Sequence, residues 1–260
     1  MHRKKPMAQI VSIHSFRGGT GKSNVTANLA ALLAAEGKRV GVIDADIQSP
    51  GIHVLFALDA SEVRHALNDY LWGHCEIAQT AHDVTHRLST AIPGGVFLIP
   101  SSLKPGEIAR ILREGYDVSR LNDGFQSLIA SLALDVLFID THPGLNEETL
   151  LSIAISDTLV ILLRPDQQDY QGTGVTVEVA RRLEVPRLMV MVNKVPAVFD
   201  AADVKARVEQ TYGCEVVAVL PHDEDMMALA SGGIFALRSP DHPIALTLKR
   251  VATTILPAYP

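Results

Sequence analysis

The run Gln9-Ile10-Val11-Ser12-Ile13-His14 leads through Ser15 into Phe16-Arg17-Gly18-Gly19-Thr20-Gly21-Lys22-Ser23. A helical pattern begins at once with Asn24-Val25-Thr26-Ala27-Asn28-Leu29-Ala30. A strand, a glycine loop and a helix in that order form the context a phosphate-binding loop requires. Glycines let successive backbone N–H groups turn into one concavity and come close to phosphate oxygens. The start of the helix adds unpaired N–H groups and a partial positive charge. In such a loop Lys22 would bridge the β- and γ-phosphates of a nucleoside triphosphate, and Ser23 would offer its hydroxyl to Mg²⁺. The usual spacing GxxxxGK[ST] would place glycine at position 16, where this chain has Phe16. The loop instead follows the deviant form xKGGxGK[ST], with Arg17 in place of the first lysine.

Beyond the loop, short β-branched runs alternate with longer helical stretches. Strands are expected at Gln9–His14, Arg39–Ile43, Val96–Ile99, Val136–Asp140, Thr158–Leu163, Leu188–Val192 and Val216–Leu220. Helices are expected near Lys22–Ala35, Ser61–Trp72, Pro105–Arg113, Gly124–Ala133, Glu147–Ile155, Gly172–Leu183, Ala201–Thr211 and His242–Leu256. This alternation implies right-handed βαβ crossovers. The expected fold class is α/β, a three-layer P-loop NTPase with a mostly parallel twisted sheet and helices on both faces. Apolar residues make up 47% of the chain and aromatics only 5%, a balance that suits strands buried on both sides. Residues 1–260 read as a single domain, with 1–7 a flexible tail and 58–90 a helical insertion, least sheet-like between Leu58 and Arg87.

A net charge of −6 argues against a protein dominated by binding to nucleic-acid backbones. The two cysteines, Cys75 and Cys214, lie far apart and form no CxxC pair, so a disulfide framework is not expected. No apolar run approaches the roughly 20 residues that span a bilayer. These features fit a cytoplasmic protein.

The ordered motifs resemble those of the ParA/MinD family of ATPases, a group that includes the Mrp and nitrogenase-iron-protein relatives. After the loop, Val40-Gly41-Val42-Ile43-Asp44-Ala45-Asp46 is similar to the family's strand ending in DxD. Val136-Leu137-Phe138-Ile139-Asp140-Thr141-His142-Pro143-Gly144 resembles its Walker B strand and second switch. Val190-Met191-Val192-Asn193-Lys194 resembles the strand whose Asn reads adenine, and Val219-Leu220-Pro221-His222-Asp223 the loop that closes over the base. The resemblance implies a Mg-ATP site. Arg17, Gly18, Gly19, Thr20, Gly21, Lys22, Ser23 and Asn24 would hold the phosphates, and Asn193, Pro221 and Asp223 the base. Ser23, Asp44 and Asp140 would stand near Mg²⁺, with Asp44 the more structural carboxylate. Asp46, Lys22 and Arg17 would carry the hydrolysis, Asp46 by orienting or activating the attacking water.

Two departures stand out. In the family, a lysine at position 17 reaches the partner's nucleotide across a sandwich dimer. Arginine keeps the charge and can fork onto two oxygens, which favours a finger acting in trans. The competing reading is a local pairing of Arg17 with a carboxylate. His142 stands where Pro or Ser is commoner in the family; a part in a γ-phosphate-sensing switch is one reading, and a plain turn residue, to which no role is assigned, is the favoured one.

Other constellations carry less. His82 and His86 have i,i+4 spacing but no identifiable third ligand besides the more distant His74 and Cys75, so they read as exposed helix histidines. The 244–256 segment has too thin a basic face for a membrane helix and reads as a last helix packed on the sheet. Arg181, Arg182 and Arg187, or Lys205 with Arg207, read as scattered solvated cations, and a patch for nonspecific DNA is not established. Tyr70 and Trp72 could mark partner specificity or ordinary packing. By resemblance, the chain is an ATP-dependent homodimer with slow, partner-stimulated turnover. It would position or partition a cargo while docked on a protein partner, a nucleoid or a membrane surface. An ATP-occupied regulator with little turnover is the alternative, ahead of a biosynthetic ATP-dependent enzyme.

Overall fold

Parallel pairing around one central strand organises the chain. In this computed structural model residues 8–117 and 119–256 are described, and the expected tail 1–7 lies outside them. The strands are β1 (Gln9–His14), β2 (Arg39–Ala45), β3 (His82–Asp83), β4 (Gly95–Ile99), β5 (Val136–Thr141), β6 (Thr158–Leu163), β7 (Arg187–Val195) and β8 (Glu215–Pro221). They form one sheet in the order β3-β4-β2-β5-β1-β6-β7-β8, parallel except for the short edge strand β3. The chain moves to one side of β1 for β2 to β5 and to the other for β6 to β8. The switch point therefore lies at the C-terminal end of β1, where open α/β sheets bind ligands.

The helices are α1 (Lys22–Ala35), α2 (Ile52–Leu55), α3 (Leu67–Leu71), α4 (Pro105–Glu114), α5 (Ser119–Leu132) and α6 (Glu147–Ala154). After them come α7 (Gln167–Arg182), α8 (Ala201–Tyr212), α9 (Glu224–Ala228), α10 (Phe235–Arg238) and α11 (Pro243–Ile255). Strand residues sort to the two faces with a period of two. Val136, Phe138, Val160 and Leu162 pack in one cluster with α1, α10 and α11. On the opposite face, Leu137 and Ile139 pack with α5, and Leu159 and Ile161 with α7 and α8. This is the expected three-layer α/β fold. Helix α11 buries Ile244, Leu248, Val251 and Ile255, as expected of a last helix packed on the sheet. No helix among the described residues is long and apolar enough to cross a membrane.

The segment 58–90 corrects the expectation of a helical insertion. Asp59 caps a single 3₁₀ turn at Ala60–Glu62 through Ser61 N–H, and the chain is extended again at Ala66. Only Leu67–Leu71 of the expected Ser61–Trp72 helix is α-helical. Two more 3₁₀ turns flank β3, which extends the sheet edge. His82 and His86 are accordingly strand and 3₁₀ residues, and the exposed helix face expected for them does not form. Tyr70 and Trp72 are packing residues: Tyr70 donates to Arg120 O at 2.8 Å, and the Arg110 guanidinium stacks 4.4 Å from the Trp72 ring centre. Helix α7 starts five residues earlier than its sequence pattern suggests, because Asp166 accepts from Asp169 N–H and caps it at Gln167.

Candidate nucleotide-binding and hydrolysis site

Strand register gathers the carboxylates. Ile13 of β1 and Asp44 of β2 both lie opposite Asp140 of β5, so the ends of three neighbouring strands meet beside the loop. The loop runs into α1, whose N-cap Gly21 has φ 99° and makes no side-chain cap hydrogen bond. The first N–H groups of α1 thus lack a side-chain cap and can serve an anion. A Cβ at Gly21 would sit 2.6 Å from Asn193 Nδ2, so glycine is required by both conformation and space.

The loop is held from the side of β7. Asn193 Nδ2 donates to Thr20 O at 2.8 Å, and Lys194 Nζ donates to Gly19 O at 2.8 Å. β7 continues beyond the expected Val192 to Val195 and carries both residues, with Lys194 at φ 58°. Asn24, Asn193, Pro221 and Asp223 share a pocket of about 190 Å³ with Gly21 and Met226. Within it Asp223 caps α9 through Met226 N–H at 2.8 Å.

Lys22 is folded back across the loop, with Nζ 3.2 Å from Ser15 Oγ. Burial lowers its pKa, partly offset by the charges of Asp140, Asp46 and Asp44. Burial lifts Asp140 to about 6, against the nearby Ser23 hydroxyl and the charge of Lys22. Asp44 is also raised well above the carboxylate range, first by burial and then by Asp140. The two carboxylates nevertheless differ. Asp44 accepts Asp46 N–H on Oδ1 at 3.2 Å and Gly51 N–H on Oδ2 at 3.1 Å, so its own loop engages both oxygens. Asp140 Oδ1 is buried with no hydrogen-bond partner. An orphaned carboxylate oxygen beside the Ser23 hydroxyl is the oxygen donor set Mg²⁺ takes, and the site fits that ion. Asp44 organises the turn, and Asp140 with Ser23 is the better-fitting pair.

Asp46 is 17% exposed on its side chain and is met at Oδ1 by Ser49 Oγ at 2.9 Å and by His142 Nδ1 at 2.7 Å. The sequence reading gave His142 no part in the site; its place two residues beyond Asp140 was the available signal. Arg17 Nη1 lies 3.4 Å from Asp166 Oδ1 in the same chain, which is the local pairing considered above. Phe16 lies against α7, where a Cβ on Gly172 would fall 2.0 Å from its ring.

Fold and site together define a P-loop nucleotide-binding protein. The chain belongs to the family described as "AAA domain", whose profile matches residues 8–185. It is 28% identical over 261 residues to an uncharacterised ATP-binding protein of Methanocaldococcus jannaschii, covering 97% of this chain and 89% of that protein. It is 28% identical over 258 residues to an iron-sulfur cluster carrier protein of Pseudomonas fragi, covering 94% and 84%. Its fold is similar to that of the septum site-determining protein MinD of Pyrococcus horikoshii, solved with Mg-ADP. The TM-score is 0.78 at 20% identity, over 96% of each chain. This match bears out the fold implied by the ParA/MinD resemblance.

Proposed function

We propose that this chain is an ATP-binding and hydrolysing switch that dimerises with ATP, engages a surface or partner in that state, and is released by hydrolysis. The observation that supports it most is the convergence of Lys22, Ser23, Asp46 and Asp140 at the C-terminal ends of β1, β2 and β5. The glycine loop and the start of α1 would hold the phosphates, and the Asn193 pocket the base. Asp140 and Ser23 would hold Mg²⁺, which when bound neutralises charge on the transferring phosphoryl group. Asp46, on the neighbouring loop, would orient the attacking water. Positioning a cargo in the cytoplasm, on a membrane or on a nucleoid is part of this proposal through the ParA/MinD resemblance.

The carrier activity named for the Pseudomonas relative is less well supported. Cys75 precedes the β3 edge of the sheet and Cys214 precedes β8 at the other edge, so one chain offers no adjacent pair of thiolates. The test is solution mass by light scattering without nucleotide, with Mg-ADP and with Mg-ATP, alongside phosphate release, on wild type and Asp46→Ala. A dimer formed only with ATP, and longer-lived in Asp46→Ala, is expected. A mass indifferent to nucleotide despite ATP binding would overturn the switch, and binding without phosphate release would favour the regulator.

A further inference from the structure

Asp46 and His142 sit on different loops, one leaving β2 and the other leaving β5, and parallel register makes those loops neighbours. Asp46 Oδ1 accepts from Ser49 N–H at 3.1 Å, Ser49 O–H at 2.9 Å and His142 Nδ1 at 2.7 Å. Among the described residues, no hydrogen bond falls on Oδ2. A carboxylate that accepts only requires the ring to donate from Nδ1, so the contact also fixes the orientation of the imidazole. The backbone of His142 is itself anchored, since Thr149 Oγ1, in α6, donates to His142 O at 3.3 Å.

We infer that His142 is a positioning residue for Asp46: together with Ser49 it pins one carboxylate oxygen and leaves the other directed for the attacking water. The inference rests on the ATPase reading above and adds a residue to it. Without His142, the only side-chain donor to Asp46 among the described residues is Ser49, three residues away on the same loop. The carboxylate plane is then set by that loop alone. The imidazole adds a restraint from the adjacent strand's loop, and it joins the loop after β2 to the loop after β5. Movement of one loop is thereby transmitted to the other.

The test separates positioning from a general loss of structure. His142→Ala should lower kcat about tenfold or more, the scale of a lost charge-assisted hydrogen bond, while ATP affinity stays within about twofold. His142→Asn puts an amide N–H where Nδ1 stood and should restore turnover to within about threefold of wild type. In an Asp46→Ala background, His142→Ala should cost nothing further. Wild-type turnover in His142→Ala, equal losses in kcat and ATP affinity, or the same loss with Asp46 absent would each overturn the inference. If wild type binds Mg-ATP without turnover, the ATPase reading falls, and the pair is then judged by imidazole ¹⁵N NMR. A His142 ring signal that Asp46→Ala shifts upholds the contact, and one that it leaves in place overturns it.

Discussion

Arg17 Nη1 lies 3.4 Å from Asp166 Oδ1 and 3.5 Å from Asp169 Oδ1, so the loop's extra cation is engaged within its own chain. Arg164 shares both acids, with Nε 3.0 Å from Asp169 Oδ2 and Nη2 3.4 Å from Asp166 Oδ2. If Arg17 must leave this cluster to reach a second nucleotide, the local pair opposes dimerisation. Asp166→Asn keeps a good N-cap for α7 while removing one charge. It should strengthen ATP-dependent association by a few-fold, the scale of a half-exposed ion pair worth up to about 1 kcal/mol. Arg17→Ala should abolish that association. Analytical ultracentrifugation with Mg-ATP reads both, and association unchanged in Arg17→Ala would mean that the arginine only braces α7.

Phe16 and Gly172 form a packing pair that can be tested by size alone. A Cβ at position 172 would meet Phe16 Cδ1 at 2.0 Å. Gly172→Ala should therefore destabilise the protein by about 1–3 kcal/mol in urea unfolding, the usual cost of overpacking. Phe16→Ala combined with Gly172→Ala should recover only part of that loss, because the Cβ kept at position 16 would still meet the new one at 2.8 Å. A Gly172→Ala protein as stable as wild type would show that the ring moves aside freely.

Asn193 serves the loop as well as the pocket. Asn193→Ala removes the donor to Thr20 O and should weaken ATP binding about tenfold, the loss of one buried hydrogen bond. The discriminating readout is ligand choice. If Asn193 only props the loop, ATP and GTP weaken equally in a fluorescence titration. If it also contacts the base, ATP weakens more.

His14 gives a pH signature. It is buried at the end of β1, its Nδ1 2.8 Å from Thr141 Oγ1, and its pKa is lowered from 6.5 to about 3 by burial first and by Lys22 second. Below pH 6.5 the unfolded chain takes up a proton that the folded chain refuses until about 3. Stability is lost as pH falls through that window, by about 1.4 kcal/mol per unit at the steepest. The raised values of Asp44 and Asp140 act in the opposite sense, so the useful quantity is a difference between variants. Urea unfolding of wild type should decline more steeply than His14→Asn between pH 6 and 4. Parallel curves would mean that His14 is not neutral in the folded state.

The sheet and the loop were legible because they rest on local pattern: β-branched runs, helical periods and a glycine-lysine-serine sequence between them. The convergence of Asp44 and Asp140 was legible only through resemblance, since it depends on a register between strands more than ninety residues apart. The segment 58–90 was misread because Leu67 and Leu71 do lie on a helix, but that helix is one short turn-and-a-half and the residues on either side of it form 3₁₀ turns. His142 was missed for a different reason. Its partner lies 96 residues earlier in sequence, and the one local signal, its place two residues beyond Asp140, does not name that partner. Arg17 has the same difficulty, because Asp166 is 149 residues away.

Two carbonyls of the phosphate loop, Gly19 O and Thr20 O, are already tied to Lys194 and Asn193 in the protein alone. The loop has therefore given up much of its conformational freedom on folding, before any nucleotide arrives. A receptor shaped in advance can capture a sparse ligand quickly and let it go without unravelling. What is left free to move in the loop is its side chains, Lys22 resting on Ser15 and Arg17 on Asp166, while the backbone between them is already set.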